Sequence, residues 1–344
     1  MDSLTGVTQG ENTRVNDVLR EYPPVGPVLG IFRNTVGLVN KTFLIQTDRD
    51  KLILRESAEE TDLDHLNLEV EVLQYLKNKK FGLSPALISN KQDGYLTNYG
   101  GRAYTLQECL PGDIRVTPDN VEYFEDATLR SFFGAVARFA KAVRNFVPSK
   151  QYSNITLSHY PRHAASLFER AGERLPTSGK RFFVDRKQAL LENALRIHEE
   201  LSAVQYDDLP KQLVHFDLHP GNVHYQNDEV VGVFDFDWVR FDCRIADIAG
   251  AIAMSCHSRR GGTLLKYKVS EALAAYRAAY GPSEFDLETE NRLVRAAIEA
   301  SILVQTLWAL NWFCEHHAHR NATTILQHWI TLSLANDYDS LFLK

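Results

Sequence analysis

Cysteine is scarce in this 344-residue chain, and its copies are widely separated. The four cysteines are Cys109, Cys243, Cys256 and Cys314, and no two of them form a C-x-x-C pair. Scattered cysteines of this kind argue against a disulfide framework. We therefore expect reduced thiols and a cytoplasmic protein.

The chain also lacks a strong excess of either charge, and it lacks a long apolar run. Its formal net charge is −6, which gives no general attraction to nucleic acid or to an anionic membrane. No apolar run approaches the ~20 residues that a membrane span needs. The first residues, Met1–Gly6, show neither the basic nor the apolar region of a signal peptide. We expect no nucleic acid and no membrane among the partners, and the composition leaves the oligomeric state open.

The predicted secondary structure changes near Pro111–Gly112. The segment before this point contains short β-favouring runs and one strongly periodic helix, and the segment after it contains mostly helical patterns. This order predicts an α+β protein of two lobes, with residues 1–110 rich in strands and residues 111–344 mainly helical. The predicted helices are residues 13–22, 63–78, 120–146, 160–175, 184–201, 245–256, 264–280, 287–314 and 323–341.

The most informative segment runs from Val214 to Asp237. It places Asp217, then Asn222 after four intervening residues, then Asp235 beyond a short hairpin. Phosphoryl transfer needs an Asp that orients and deprotonates a hydroxyl, and an Asn and an Asp that hold Mg²⁺ on the nucleotide phosphates. Taken singly, each residue is an ordinary turn former. Taken in this order, they predict a phosphotransferase site, because several levels of the sequence agree.

The predicted hairpin explains why Asn222 and Asp235 are expected to lie close together. The β-favouring runs Val223–Tyr225 and Val230–Phe234 flank a polar tip at residues 226–229. Asn222 opens the first strand and Asp235 closes the second, so both side chains are expected at one end. Two oxygen ligands at one end suit a hard cation such as Mg²⁺.

The first half of the chain offers residues for the phosphates of a nucleotide. The turn from Gly37 to Asn40 precedes a strand and is placed to fold over phosphates, although it also fits a plain hairpin loop. Arg55 closes the next strand, where a kinase has a cation for the α- and β-phosphates. Glu69 on the following helix is expected to pair with Arg55. Glu71 is the competing partner, and either carboxylate also fits a solvated surface position.

Together these motifs resemble the aminoglycoside phosphotransferase/choline kinase superfamily, which also contains type II homoserine kinases. The family pattern H-G-D-x-x-x-x-N, I-D-F/W and D-(I/L)-A stands here as residues 215–222, 234–236 and 247–249. The resemblance implies a protein-kinase-like fold, with a small antiparallel-sheet lobe for the nucleotide and a larger helical lobe for catalysis and the acceptor. It implies that Asp217 is the catalytic base and that Asn222 and Asp235 are the Mg²⁺ ligands. It also implies that the backbone of residues 107–110, which include Gln107 and Cys109, holds the adenine of ATP.

The chain departs from the family pattern at two positions. Phe216 replaces the usual Gly between His215 and Asp217, and we expect this change to alter packing more than chemistry. Arg55 stands where many members have Lys, and its planar fork differs from the compact charge of an ammonium. Asp237 adds a carboxylate that is not part of the basic pattern. It fits a supporting position behind the site, a contact to a second Mg²⁺, or a contact to substrate.

Several further side chains are candidates for the acceptor side. His219 fits either a substrate contact or a structural role in the loop, and Trp238 directly follows Asp237. Trp308, Trp312 and His316 recur every four residues and so share one helix face. An aromatic wall there can hold an ammonium group by cation–π attraction, although plain helix packing explains the same spacing. The run Cys314–His319 is helical and has no second ligand cluster, so we do not interpret it as a metal site.

The sequence therefore predicts an ATP- and Mg²⁺-dependent kinase that phosphorylates a hydroxyl of a small molecule. Homoserine-like amino acids, amino alcohols and amino sugars are the acceptors considered, and an aminoglycoside is the alternative acceptor. A protein substrate is less favoured, because no A-P-E segment follows the second Asp. The rival hypothesis is a degenerate kinase fold that binds a nucleotide or a partner without transferring phosphate.

Overall fold

The computed structural model describes residues 4–34, 40–58, 62–116, 124–258, 262–281, 287–316 and 322–335. The chain forms two compact units. The first unit is Met1–Gly112 together with Phe146–Tyr152 and Val231–Asp237. The second is Asp113–Asn145, Ser153–Val230 and Trp238–Lys344. Two short segments from the later chain thus belong to the strand-rich unit, and one of them carries Asp235 and Asp237.

The first unit is built on an antiparallel sheet of seven strands. The strands are β1 (Leu4–Gly6), β2 (Val28–Asn34), β3 (Lys41–Thr47), β4 (Lys51–Glu56), β5 (Leu87–Ile88), β6 (Thr97–Tyr99) and β7 (Arg102–Glu108). Their order in the sheet is β1-β2-β3-β4-β7-β5, with β6 paired to β7. The expected hairpin of β3 and β4 is present, with Thr42 opposite Arg55. Its turn is closed because the Thr47 hydroxyl accepts hydrogen bonds from the amides of Arg49 and Asp50.

Two helices accompany this sheet. They are α1 (Gln9–Leu19) and α2 (Leu63–Asn78). Val15 and Val18 of α1 join a buried cluster with sheet residues such as Phe43 and Leu54. The prediction that this helix begins at residue 13 is wrong by one turn, because Thr8 and Glu11 form a capping box that starts it at Gln9.

The second unit is mainly helical. Its helices are α3 (Asp126–Val143), α4 (His159–Arg162), α5 (Ala164–Arg174), α6 (Thr177–Ala203), α7 (Ile245–Ser255), α8 (Lys266–Tyr280), α9 (Leu287–His316) and α10 (Ala322–Ser333). The predicted helix over residues 160–175 is interrupted at His163, whose backbone leaves the helical region. The predicted start at residue 184 is wrong, because α6 already begins at Thr177, directly after Pro176.

Strands in the later chain frame the motif segment. Strands β8 (Lys211–Val214) and β11 (Arg240–Cys243) pair antiparallel, with Arg240 opposite Val214. Strands β9 (Val223–Gln226) and β10 (Glu229–Val233) form the expected hairpin. Its tip is the two-residue turn Asn227–Asp228, and both residues have positive φ. Asn and Asp tolerate this left-handed backbone better than most residues, which explains the tight turn.

Helix α9 is the long central helix of the second unit. Its segment Arg292–His316 is apolar and long enough to cross a membrane by composition, with a mean hydropathy of 1.4. In the structure, however, 78% of its most apolar window is buried. Charged residues such as Glu299 interrupt the apolar stretch in the sequence, so no long uninterrupted apolar run marks this segment. The burial is that of a core helix.

Candidate active site

The loop after β8 brings together two of the predicted catalytic residues. Asn222 closes a short 3-10 turn, Pro220–Asn222, and its side chain is buried. Its Nδ2 donates to the Asp217 backbone carbonyl at 2.9 Å and to the Asp217 carboxylate oxygen Oδ2 at 3.0 Å. The amide of Asn222 therefore fixes the orientation of the Asp217 carboxylate. The D-x-x-x-x-N spacing thus forms one hydrogen-bonded unit.

Asp247, in the first turn of α7, braces the same loop from behind. Its two carboxylate oxygens accept hydrogen bonds from the backbone amides of His215 and Phe216, at 3.0 and 2.7 Å. Burial raises the pKa of Asp247 to about 7, and the two amide bonds oppose that rise. The sequence placed Asp247 only in the family pattern and not in the site. The available signal in the sequence was a carboxylate within the otherwise apolar run from Ile245 to Met254.

His219 lies beside the Asp217 carboxylate. Its Nδ1 accepts a hydrogen bond from the Gly221 amide at 3.0 Å, and its Nε2 lies 3.8 Å from Asp217 Oδ2. Burial lowers the pKa of His219 to about 4, so the ring is neutral at pH 7. Because Nδ1 is an acceptor, the ring proton is on Nε2 and faces Asp217. A substrate contact by His219 stays a prediction.

Phe216 occupies a backbone position whose conformation favours glycine. Its φ is +67°, a left-handed conformation that glycine adopts freely and other residues adopt at a cost. The Phe216 ring stacks on Tyr160 with centroids 6.3 Å apart. The guanidinium carbon of Arg240 lies 3.8 Å from the centre of the Phe216 ring, and Arg240 also contacts the exposed ring of Trp238. These contacts hold the strained residue next to Asp217.

In the first unit, Arg55 of β4 is held by carboxylates. One terminal nitrogen donates to Glu69 of α2, and the other donates to Asp237. Asp235 lies within ion-pair distance of the second nitrogen, at 3.7 Å. Glu71 points elsewhere, since it accepts hydrogen bonds from the Ser149 amide and the Tyr152 hydroxyl. The structure therefore favours Glu69 as the partner of Arg55.

Burial and charge act against each other in this cluster. Burial alone would lower the pKa of Arg55, but Glu69, Asp237 and Asp235 raise it, so the guanidinium stays charged. Burial raises the pKa of Glu69 to about 7, and the Arg55 charge opposes that rise. Burial also works against the charge of Asp237, yet Arg55 brings its pKa below the ordinary value. The Arg55 charge thus favours the ionised form of both carboxylates.

Asp235 and Asn40 complete the site residues of this unit. Asp235 follows β10 in a left-handed conformation, with φ +66° and 41% of its side chain exposed. Asn40 donates from Nδ2 to Asp237 and accepts a bond from the Ala58 amide at 3.1 Å. Gly37 lies outside the described residues, so its contact with phosphate stays a prediction.

The predicted adenine segment lies at the end of β7. Gln107 is opposite Ile53 in the sheet. The amide of Glu108 donates to the Ala86 carbonyl at 2.9 Å, and the amide of Cys109 donates to the Lys51 carbonyl at 3.2 Å. These two donors are therefore already used within the sheet.

The aromatic residues of α9 form a continuous stack. Trp308 and Trp312 have ring centroids 5.9 Å apart, and Trp312 and His316 have centroids 5.1 Å apart. Trp308 is exposed and Trp312 is buried. The prediction that Trp308, Trp312 and His316 share one helix face is therefore confirmed. Among the described residues, no three His, Cys, Asp or Glu side chains are grouped as a metal site, and the predicted run Cys314–His319 is described only as far as His316.

Comparison with known proteins agrees with this arrangement. A homoserine kinase of Rhodopseudomonas palustris (strain ATCC BAA-98 / CGA009) is 26% identical over 240 residues, which are 70% of this chain and 67% of that protein. The solved amicoumacin kinase hAmiN, in complex with AMP-PNP, Ca²⁺ and Ami, has a TM-score of 0.68 at 13% identity and covers 97% of both chains. A microcompartment-associated aminopropanol kinase has a TM-score of 0.66 at 15% identity, covering 94% of this chain and 95% of that one.

These solved structures share the fold of an antiparallel-sheet region followed by a helical part. The family model described as "Phosphotransferase enzyme family" matches residues 33–291, which include every catalytic and metal residue predicted from the sequence. The match covers well over half of the chain. The protein belongs to the phosphotransferase enzyme family.

Proposed function

We propose that this protein is an ATP- and Mg²⁺-dependent kinase that transfers the γ-phosphate to a hydroxyl group of a small molecule. The observation that carries the proposal is the bond from the Asn222 amide to the Asp217 carboxylate. It joins the Asp and the Asn of a D-x-x-x-x-N loop, the two residue types that phosphoryl transfer uses for the hydroxyl and for the metal. Membership of the phosphotransferase family supports the same reaction.

Asp217 is the proposed catalytic base. The acceptor hydroxyl donates a hydrogen bond to its carboxylate and attacks the γ-phosphorus in line. The bond from that phosphorus to the bridging oxygen breaks, ADP leaves, and the hydroxyl proton passes to Asp217. The Asn222 amide keeps the carboxylate in place during this exchange. Much of the rate then comes from positioning.

Asn222 and Asp235 are the proposed metal ligands. Asn222 uses its Nδ2 toward Asp217, which leaves its amide oxygen outside that bond. Asp235 contributes a partly exposed carboxylate. Amide and carboxylate oxygens are the donors that Mg²⁺ accepts, so the donor set fits the ion. When bound, Mg²⁺ supplies positive charge that neutralises the phosphate oxygens.

The nucleotide residues are proposed from the first unit. Arg55, oriented by Glu69, would face the α- and β-phosphates, and the segment that includes Gly37 and Asn40 would cover them. The backbone near Gln107 and Cys109 would hold the adenine. The amides of Glu108 and Cys109 already donate to carbonyl groups of the protein, so we assign the adenine contact to the other backbone groups of residues 107–110. The complex of amicoumacin kinase with AMP-PNP and Ca²⁺ supports nucleotide and divalent-cation use in this fold.

The acceptor is proposed to be a homoserine-like amino acid, an amino alcohol or an amino sugar. The homoserine kinase relatives favour a small hydroxylated amine, and the aminoglycoside stays the alternative because solved structures of this fold include aminoglycoside phosphotransferases. His219 and Trp238 are the candidate acceptor contacts near the loop, and Trp308 with Trp312 offers an aromatic face for an ammonium group.

A panel of acceptors tests the proposal. ADP release is measured with homoserine, choline, 1-amino-2-propanol, glucosamine and kanamycin, each with Mg²⁺ present and with Mg²⁺ removed by chelation. Magnesium-dependent ADP release with one of the first four supports the proposal, and release with kanamycin alone supports the aminoglycoside alternative. A Mg²⁺-dependent thermal shift with ATP but no release would instead identify a nucleotide-binding protein without transferase activity.

A further inference from the structure

Asp237 lies at the centre of a set of contacts within the first unit. One carboxylate oxygen accepts from Arg55 of β4, and the other accepts from Asn40, which precedes β3. Its backbone carbonyl contacts Nε2 of His65 on α2. A single residue after β10 therefore joins two strands and a helix around Arg55.

The shape of the arginine side chain makes this arrangement possible. Its two terminal nitrogens are spread in a plane, so one reaches Glu69 while the other reaches Asp237. An ammonium group is one compact charge and does not present this planar fork. The side chains are also shielded from water, with exposed fractions of 11% for Arg55, 5% for Glu69 and 19% for Asp237. Charge pairs in such an environment are stronger than on the surface, and breaking one leaves an uncompensated charge.

We infer that Asp237 is a positioning residue, which fixes the second arm of Arg55 and thereby sets where its charge meets the nucleotide phosphates. This inference rests on the proposed function. Glu69 alone restrains one nitrogen and leaves the guanidinium plane free to turn. Asp237 stops that rotation, and Asn40 in turn holds Asp237.

The same contacts weigh against the other roles considered for Asp237. Both of its carboxylate oxygens already accept bonds, one from a guanidinium and one from an amide. A direct ligand bond to a second Mg²⁺, or a direct contact to the acceptor, would have to share an oxygen that already accepts one of these bonds.

The contact itself is tested on the nucleotide-free protein with a double-mutant cycle of Arg55→Lys and Asp237→Asn. The free energies of unfolding in urea should be non-additive, with a coupling of about tenfold in the unfolding equilibrium constant, within the range for contacting residues. The exposed pair Arg115–Asp228, at 2.6 Å, is the matched control. Its cycle with Arg115→Lys and Asp228→Asn should show almost no coupling, because surface ion pairs contribute little. Additive effects at Arg55 and Asp237 would overturn the inference.

The positioning role is tested by nucleotide binding and by kinetics. Asp237→Asn should raise both the Kd of Mg-ATP and the KM for ATP by about tenfold, the size expected when a charge-assisted bond is lost. The acceptor KM and the Mg²⁺ concentration for half-maximal activity should not change. Asp237→Glu, which restores the charge, should recover part of the affinity.

The alternative results separate the roles. A raised acceptor KM with unchanged ATP binding would overturn the inference in favour of a substrate contact. A shifted Mg²⁺ requirement would overturn it in favour of a metal ligand, and an unchanged Kd for Mg-ATP would overturn it outright. If no acceptor is phosphorylated by the wild-type protein but the Kd changes as expected, the proposed function fails while the role of Asp237 in nucleotide binding stands.

Discussion

At the scale of single residues, Phe216 carries the clearest backbone strain near the catalytic loop. Its φ of +67° costs an L-residue with a Cβ of the order of 1 kcal/mol, while its ring gains contacts with Tyr160 and Arg240. Phe216→Ala removes the ring and keeps the strain, whereas Phe216→Gly removes both. The Gly variant should therefore be more stable than the Ala variant by about 1 kcal/mol in urea unfolding. The opposite order, which is normal at negative φ, would contradict the left-handed conformation.

His257 is a second residue with a measurable consequence. It is buried beside His328, with ring centroids 4.6 Å apart, and burial lowers its pKa to about 3 from the ordinary 6.5. Below pH 6.5 the unfolded chain binds a proton at this ring that the folded protein excludes. The stability from neutral His257 is therefore complete above pH 6.5 and is lost as the pH falls toward 3, by up to about 1.4 kcal/mol per pH unit.

Comparison with a variant isolates this effect from the carboxylates that titrate in the same range. His257→Gln should flatten the decrease in unfolding free energy between pH 6.5 and pH 4. The same substitution at the partly exposed His198 is the control. Parallel pH profiles for wild type and His257→Gln would show that His257 does not carry the effect.

At the scale of elements, the start of α7 supports the catalytic loop through Asp247. Both oxygens of this carboxylate accept backbone amides of the loop. Asp247→Asn replaces one acceptor with an N–H group that faces another N–H. We expect a loss of about 2–4 kcal/mol in unfolding free energy, because a buried amide is left without its acceptor. We also expect a lower kcat, because the backbone before Asp217 is released.

Asp126 provides the matched control for that prediction. It occupies the first turn of α3 and is exposed to solvent. Asp126→Asn also removes a carboxylate from the first turn of a helix, and should cost no more than about 1 kcal/mol. Equal losses at the two positions would mean that the helix dipole, and not the loop contact, explains the role of Asp247.

The elements also show how far sequence patterns reach. The β3–β4 hairpin, α2 and the β9–β10 hairpin follow from apolar periodicity and turn residues, which are local signals. The beginning of α1 depended on a capping box, and the break at His163 has no comparable local signal. Glu69 and Glu71 lie two residues apart on one helix, and only burial in the tertiary structure separates them. The contacts of Asp237 were also beyond the sequence, since they join residues 182 and 197 positions apart.

At the scale of the whole molecule, the candidate residues fall into two sets. Asp217, Asn222 and His219 belong to the helical unit, and the Arg55 cluster belongs to the sheet unit. The proposed function gives the first set the removal of the hydroxyl proton and, through Asn222, metal binding. It gives the second set the nucleotide and, through Asp235, the same metal. Loss of the base should therefore slow transfer strongly without removing the nucleotide.

The most direct measurement of the central claim is turnover by Asp217→Asn with the best acceptor of the panel, together with Mg-ATP binding. We expect a kcat reduced by about 10²–10⁴-fold, the usual contribution of a general base, with the Kd of Mg-ATP nearly unchanged. Asp228→Asn, at the exposed hairpin tip, should keep full activity. Wild-type turnover by Asp217→Asn would contradict the account.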